Sequence, residues 1–135
     1  MNHSKVLLSF ALATISCATV CGISAPEQAK AAPASAVSKE FLSFWDKFKD
    51  ALRKNDKNAL ADMTKLPYLD DEKKLNKAAF IAKSETIFST SIRKCLLREK
   101  PVPDKDSVFV FCGEAIYVFA KEQGQYKFTE IGAND

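Results

Sequence analysis

Val108-Phe109-Val110-Phe111-Cys112, Ala115-Ile116-Tyr117-Val118-Phe119-Ala120-Lys121 and Tyr126-Lys127-Phe128-Thr129-Glu130-Ile131 follow one another, with only Gly113-Glu114 and Glu122-Gln123-Gly124-Gln125 between them. β-Branched and aromatic residues fill the three runs and turn residues separate them, so the spacing predicts a three-stranded antiparallel meander. Side chains alternate across a strand. If Cys112 faces a covering helix, Val108 and Val110 face it too, and Phe109 and Phe111 point the other way. The second run is equally apolar on both sides, with Ile116 and Val118 on one and Tyr117 and Phe119 on the other. An antiparallel sheet covered on one face ordinarily alternates apolar with polar residues. The second face of this sheet therefore calls for a cover of its own: more helix, a curled sheet, a ligand or a second subunit.

The segments before the meander read as helical. Phe41, Phe44, Trp45, Phe48 and Leu52 recur at the spacing of one helix face, and charged residues occupy the other faces. Ser38 is placed to cap this helix, with Glu40 in the first turn where the helix dipole favours a negative charge. Asn55-Asp56 breaks the pattern, and Asp56 can cap a short second helix carrying Ala59, Leu60 and Met63. Pro67 ends that run and leaves Leu66-Pro67-Tyr68-Leu69 as a short extended piece, followed by Asp70–Lys74 as a solvated turn. A third helix is expected from Asn76 to about Leu97, with Phe80, Ser84, Ile87, Phe88, Ser91, Ile92 and Cys95 as its inner stripe. The two prolines of Lys100-Pro101-Val102-Pro103-Asp104 predict a loop. The fold class is α+β: about three helices packed on a curved antiparallel sheet.

The N-terminus has a different character. Lys5, the apolar run Val6–Ala13 and the small residues up to Ala25 have the form of a secretory signal peptide over residues 1–25. Cleavage after Ala25 or after Ala31 fits the small-x-small rule. Residues 26–36, rich in Ala, Pro and Ser, read as a disordered leader, and residues 37–135 as one domain. Ser9, Thr14, Ser16 and Thr19 interrupt the apolar run, which makes it a poor membrane span. Cys17 and Cys21 lack the leucine three residues earlier that a lipoprotein site favours, so the expected location is periplasmic or secreted. Removal of the signal also removes His3, the sole histidine. Imidazole acid–base chemistry, histidine-activated nucleophiles and most zinc sites go with it.

The formal charge of +3 becomes +2 once Lys5, Lys30 and Glu27 are removed (3 − 2 + 1). Both signs are interspersed, which gives no electrostatic case for nucleic acid or for an anionic membrane. Cys95 and Cys112 are the two cysteines beyond the signal. In an oxidising compartment their simplest state is a disulfide. It would close 17 residues of chain, for which chain entropy gives about 3 kcal/mol.

The pieces Phe44-Trp45-Asp46-Lys47-Phe48-Lys49-Asp50-Ala51-Leu52, Asn55-Asp56 with Ala59-Leu60-Ala61, Leu66-Pro67-Tyr68 and the closing hairpin Val118–Ile131 come in an order that resembles secreted members of the NTF2-like (cystatin-like, SnoaL-type) superfamily. The resemblance implies a curved sheet wrapped on helices into a cone with a pocket, the outer sheet face often serving dimerisation. It carries over no activity, because the Asp/His dyads of the superfamily's enzymes have no counterpart without a histidine.

No residue pattern specifies catalysis, a metal or a cofactor. The acidic cluster Asp70-Asp71-Glu72 lacks the alternating ligands and turn glycine of a calcium loop. Ser84, Ser89, Thr90 and Ser91 have no base in view, and Asp46 and Glu130 meet only if the fold brings them together. The candidate ligand or partner surface is Trp45, Tyr68, Arg93, Phe109, Tyr117 and Tyr126. Trp45 is either a core anchor or a pocket wall with a polar tip. Arg93 either meets an anion or lies on a solvated helix face. Tyr117 and Tyr126 are candidates for a cross-strand pair that extends into an aromatic surface with Phe109, Phe111 and Phe119. The expected function is noncatalytic binding of a small apolar ligand or an envelope protein, with a homodimer through the sheet face as one form. The alternative is a periplasmic inhibitor or immunity protein that blocks a toxin or hydrolase.

Overall fold

The computed structural model describes residues 35–134. The segment read as a signal peptide, with His3, Cys17 and Cys21, and most of the segment read as a leader lie outside them. Helices α1 (Lys39–Lys54) and α2 (Lys57–Asp62) lead into a small hairpin, β1 (Tyr68–Asp70) and β2 (Lys73–Leu75). Helices α3 (Lys77–Ile87) and α4 (Thr90–Arg98) follow. The main antiparallel sheet comes last: β3 (Val102–Asp104), β4 (Ser107–Cys112), β5 (Ala115–Glu122) and β6 (Gln125–Ala133), in spatial order β3-β4-β5-β6. The α+β class is as the sequence predicts, with one more helix and one more strand in the meander.

The caps are the ones the sequence offers. The Ser38 hydroxyl accepts from the Phe41 N–H, the Asp56 carboxylate from Ala59 and the Asn76 side-chain carbonyl from Ala79, each meeting an orphan donor of the first turn. Asn55 closes α1 in the left-handed conformation at φ 51°, which asparagine tolerates better than most residues.

Three expectations are corrected. The long third helix is two helices, because the chain breaks at Phe88 and Ser89 caps a new start by accepting from Ile92. The Ser89 hydroxyl takes the Ile92 N–H from the helix ladder, and the Phe88 carbonyl accepts from the Arg93 side chain instead. The break turns Ser91 outward and makes Leu96 the buried residue of α4.

The proline-bearing loop contains strand β3. A two-residue turn makes Asp104↔Ser107 the hydrogen-bonded pair, so Pro103↔Val108 is the non-bonded one. The imide nitrogen of Pro103 then faces away from β4 and no ladder bond is lost, which is how proline enters an edge strand. Lys73 and Lys74, expected in a turn, belong to β2, and only Asp71-Glu72 form the turn.

Register decides what each face of the sheet carries. Toward the helices lie Val108, Phe119 and Phe128 in one cross-strand row and Val110, Tyr117 and Ile131 in the next. Onto these pack Phe41, Trp45 and Phe48 from α1, Phe80 from α3 and Phe88 at the end of α3, all buried. The rings touch in series. Phe119 lies 5.1 Å from Phe48 and 5.4 Å from Trp45, and Phe128 lies 5.2 Å from Phe88 and 5.4 Å from Tyr68. Edge-to-face and offset geometries at such distances add to the effect of burial. Gly113 (φ 67°) gives the positive φ of the β4–β5 turn, Gln123 (φ 52°) and Gly124 (φ 81°) those of the β5–β6 turn, and Lys105 (φ 44°) that of the β3–β4 turn.

Cys95 of α4 and Cys112 of β4 are disulfide-bonded, with Cα atoms 5.9 Å apart. This joins the last helix to the sheet and is compatible with an oxidising compartment. Among the described residues no helix is long and apolar enough to cross a membrane.

Candidate functional site

The six candidate surface residues do not converge. Trp45 is 3% exposed and lies between Phe41 and Phe48, with centroids at 6.1 and 5.8 Å, so it is a core anchor. Tyr68 is equally buried, stacked on Phe128 and edge-on to Phe80.

Tyr117 is also a core residue. Its hydroxyl donates to the Ile87 carbonyl at 2.9 Å, one of the carbonyls left without a partner where α3 ends. Tyr126 is half-buried against Phe41 at 5.1 Å, and the Lys121 ammonium stands 5.2 Å above its ring. The cross-strand tyrosine pair does not form: Tyr117 lies opposite Ile131, and Tyr126 opposite Lys121. Residues 117 and 126 are nine apart across a two-residue turn at 123–124, so they sit in different rows.

Arg93 holds the protein together locally. One guanidinium nitrogen donates to the Asn55 side-chain carbonyl at 3.0 Å and to the Phe88 carbonyl at 2.9 Å, and the other reaches the Thr90 hydroxyl at 3.3 Å. It thus joins the end of α1 to the break between α3 and α4. Nearby, Glu85 accepts from Asn55 at 3.3 Å and pairs with Lys57 at 2.8 Å. These bonds hold the Glu85 carboxyl below its ordinary range, Lys57 contributing most.

Asp46 is an exposed residue of α1 paired with Lys49, whereas Glu130 lies opposite Val118 on the outer side of the sheet. The two carboxylates therefore sit on different layers and form no dyad. Among the described residues, no three metal-ligating side chains cluster.

Buried phenols give the interior a pH limit. Burial pushes Tyr68 well up and Tyr117 up to about 12. In the unfolded chain both titrate near 10. Below pH 10 both states are protonated and the stabilisation is whole. Between pH 10 and 12 only the unfolded state releases the Tyr117 proton, so stability falls with rising pH. Near-ultraviolet circular dichroism and tyrosinate absorbance are expected to change together in that window. Phenols that ionise fully at pH 10 with the fold intact would show that burial is not what holds them neutral.

The outer side of the sheet remains. Val102, Phe109 and Val118 form one row across β3, β4 and β5, and Phe111 and Ile116 the next. Phe109 and Phe111 meet edge to face at 6.4 Å. Val102 is 45% and Phe111 38% exposed, and Phe109, Ile116 and Val118 are half-buried. Beyond Ile116 the row ends at Gly132, whose missing side chain leaves that isoleucine open. No helix of the described residues lies on this face. Of the six candidates only Phe109 belongs to it. Its partner Phe111 was legible beside it as part of an aromatic surface, whereas Ile116 and Val118 were legible only as sharing one side of their strand.

Comparison with protein-family models, with characterised proteins and with solved structures finds no match.

Proposed function

We propose that this is an exported, noncatalytic binding domain of the NTF2-like kind, and that it docks an envelope protein on the outer face of its sheet. The observation that supports this reading is the pair of apolar rows, Val102-Phe109-Val118 and Phe111-Ile116, left open to solvent across three strands. A contiguous patch with two aromatic rings is the usual centre of a protein interface. A small apolar ligand inside a cone is less well supported, since the rings of Trp45, Tyr68, Phe119 and Phe128 occupy that space and pack on their neighbours. Small-molecule sites are concave and largely preformed.

The test is capture from envelope extract by the protein and by Phe109→Asp/Phe111→Asp. Neither ring belongs to the buried core, so the variant is expected to keep its fold at a cost of about 1–3 kcal/mol, which circular dichroism checks before capture. It should lose the partner that the parent retains. A hydrolase or toxin recovered in equal amount would make the domain an inhibitor. Self-association lost in the variant would make the partner a second copy. Retention of the same partner by the variant would overturn the reading.

A further inference from the structure

The two edges of the main sheet are not alike. The β3 edge is three residues long, presents the Pro103 nitrogen without a hydrogen, and continues into the charged turn Asp104-Lys105-Asp106. Charge, shortness and proline are the ordinary means of blunting an edge.

Among the described residues, the β6 edge exchanges backbone hydrogen bonds at one residue only, although β1 runs close beside it. Phe128 donates to the Met63 carbonyl at 2.8 Å and accepts from the Lys65 N–H at 2.8 Å. A bulge follows: Phe119 faces Phe128 and Val118 faces Glu130, which leaves Thr129 as the extra residue, its hydroxyl donating to the Val118 carbonyl at 3.1 Å. Beyond the bulge, Asn134 donates to the Glu114 carbonyl at 2.8 Å, which makes Ala115↔Ala133 a non-hydrogen-bonded pair. Alternation makes Tyr117↔Ile131 another. Ile131 and Ala133 therefore turn their main-chain N–H and C=O away from β5. No backbone group among the described residues meets them, and both residues are exposed.

A cleft of about 500 Å³ lies between the β1 side, at Pro67 and Leu69, and the outer face of the sheet, at Ser107, Val118 and Ala120, and reaches the β6 edge at Glu130 and Ile131. Leu69 is 57% and Ile131 40% exposed. Glu122 in this cleft is paired with Lys65 at 2.8 Å, but Asp71 and Glu130 have no cation among the ion pairs of the described residues.

We propose that the free half of β6, Glu130–Ala133, accepts one extended segment of a protein partner as an added strand, and that this segment alternates apolar and basic residues. Donors and acceptors repeating at every second residue match a strand, and main-chain pairing supplies affinity while neighbouring side chains select sequence. Leu69 and Ile131 select the apolar positions, and Asp71 and Glu130 the basic ones. A second copy of this chain is a poor occupant, because it would bring another Glu130 against the same carboxylates. The proposal rests on the reading above only in taking the natural occupant to be a protein.

The experiment is amide hydrogen exchange by NMR on the intact protein, with an acetylated seven-residue peptide alternating valine and lysine as probe. Saturating peptide is expected to slow exchange at Ile131 and Ala133 by about tenfold or more, as main-chain pairing requires. A valine–glutamate peptide is expected to bind at least about tenfold more weakly, a difference of about 1.4 kcal/mol, and Glu130→Lys to reverse the preference. Peptide N-methylated at alternate residues should lose the protection. Three results would overturn the proposal: unchanged exchange at both amides, equal binding of the N-methylated peptide, or protection that arises without peptide as the protein dimerises. Phe109→Asp/Phe111→Asp separates the two readings. It should bind the peptide like the parent even if no extract partner uses the outer face.

Discussion

Replacing Phe119 by alanine is expected to destabilise the domain by about 3–5 kcal/mol, against the roughly 5–15 kcal/mol that holds a typical domain folded. Phe119 is fully buried and central to the aromatic cluster. Its ring lies within 6.0 Å, centroid to centroid, of Phe41, Phe44, Trp45, Phe48 and Phe128. Those neighbours come from one helix and one strand, so the truncated side chain leaves a gap between the two layers that neither can close alone. Phe119→Leu keeps much of the volume and is expected to cost less. Urea denaturation followed by the fluorescence of Trp45, the single tryptophan, measures both. A loss below about 1 kcal/mol for the alanine variant would mean that the cluster is loosely packed. Phe111→Ala, on the outer face, is expected to stay within about 0.5 kcal/mol of the parent.

Removal of the disulfide in Cys95→Ala/Cys112→Ala is expected to cost about 3 kcal/mol, the chain-entropy figure for a loop of this length. The bond joins α4 to β4 across 17 residues of sequence. Those residues include the whole β3–β4 hairpin, which the cross-link keeps near the helix in the unfolded chain. For a domain of about 100 residues each kcal/mol corresponds to about 4–8 °C, so the midpoint should fall by about 12–24 °C. Reductant should lower the midpoint of the parent and leave the variant unmoved. A parent insensitive to reductant, with both thiols shown to be free after treatment, would show that the cross-link is dispensable.

The parts of this fold that were legible in the sequence are the ones governed by local chemistry. The stripe Phe41, Phe44, Trp45, Phe48 and Leu52 announced α1, and Ser38, Asp56 and Asn76 announced three helix starts. The spacing of Cys112 from Val110 and Val108 fixed which residues of β4 would be buried. Local chemistry misled at two points. The apolar stripe ran through Ser89 unbroken, but the Ser89 hydroxyl capped a new helix there and outweighed it. The two prolines argued against a strand at Val102–Asp104, but an edge strand needs hydrogen bonds on one side only.

The site was harder to read. Aromatic residues look alike in sequence whether they fill a core or face a partner, and Trp45, Tyr68 and Tyr117 proved to be filling. Arg93 looked solvated or ligand-binding, whereas its partners Asn55 and Phe88 belong to other elements and are visible only in three dimensions. The open half of β6 had no sequence signal at all. It depends on where Met63–Lys65 leave the strand and on a single extra residue at Thr129.

The proline at position 103 has a consequence for assembly. A sheet receptive along both borders can recruit copies without end and grow into fibres. Here one border lacks a hydrogen at its middle residue and ends in alternating charge, so a strand laid along the opposite border finishes the ladder. A complex formed by strand addition at β6 is therefore expected to be closed and of fixed stoichiometry rather than filamentous.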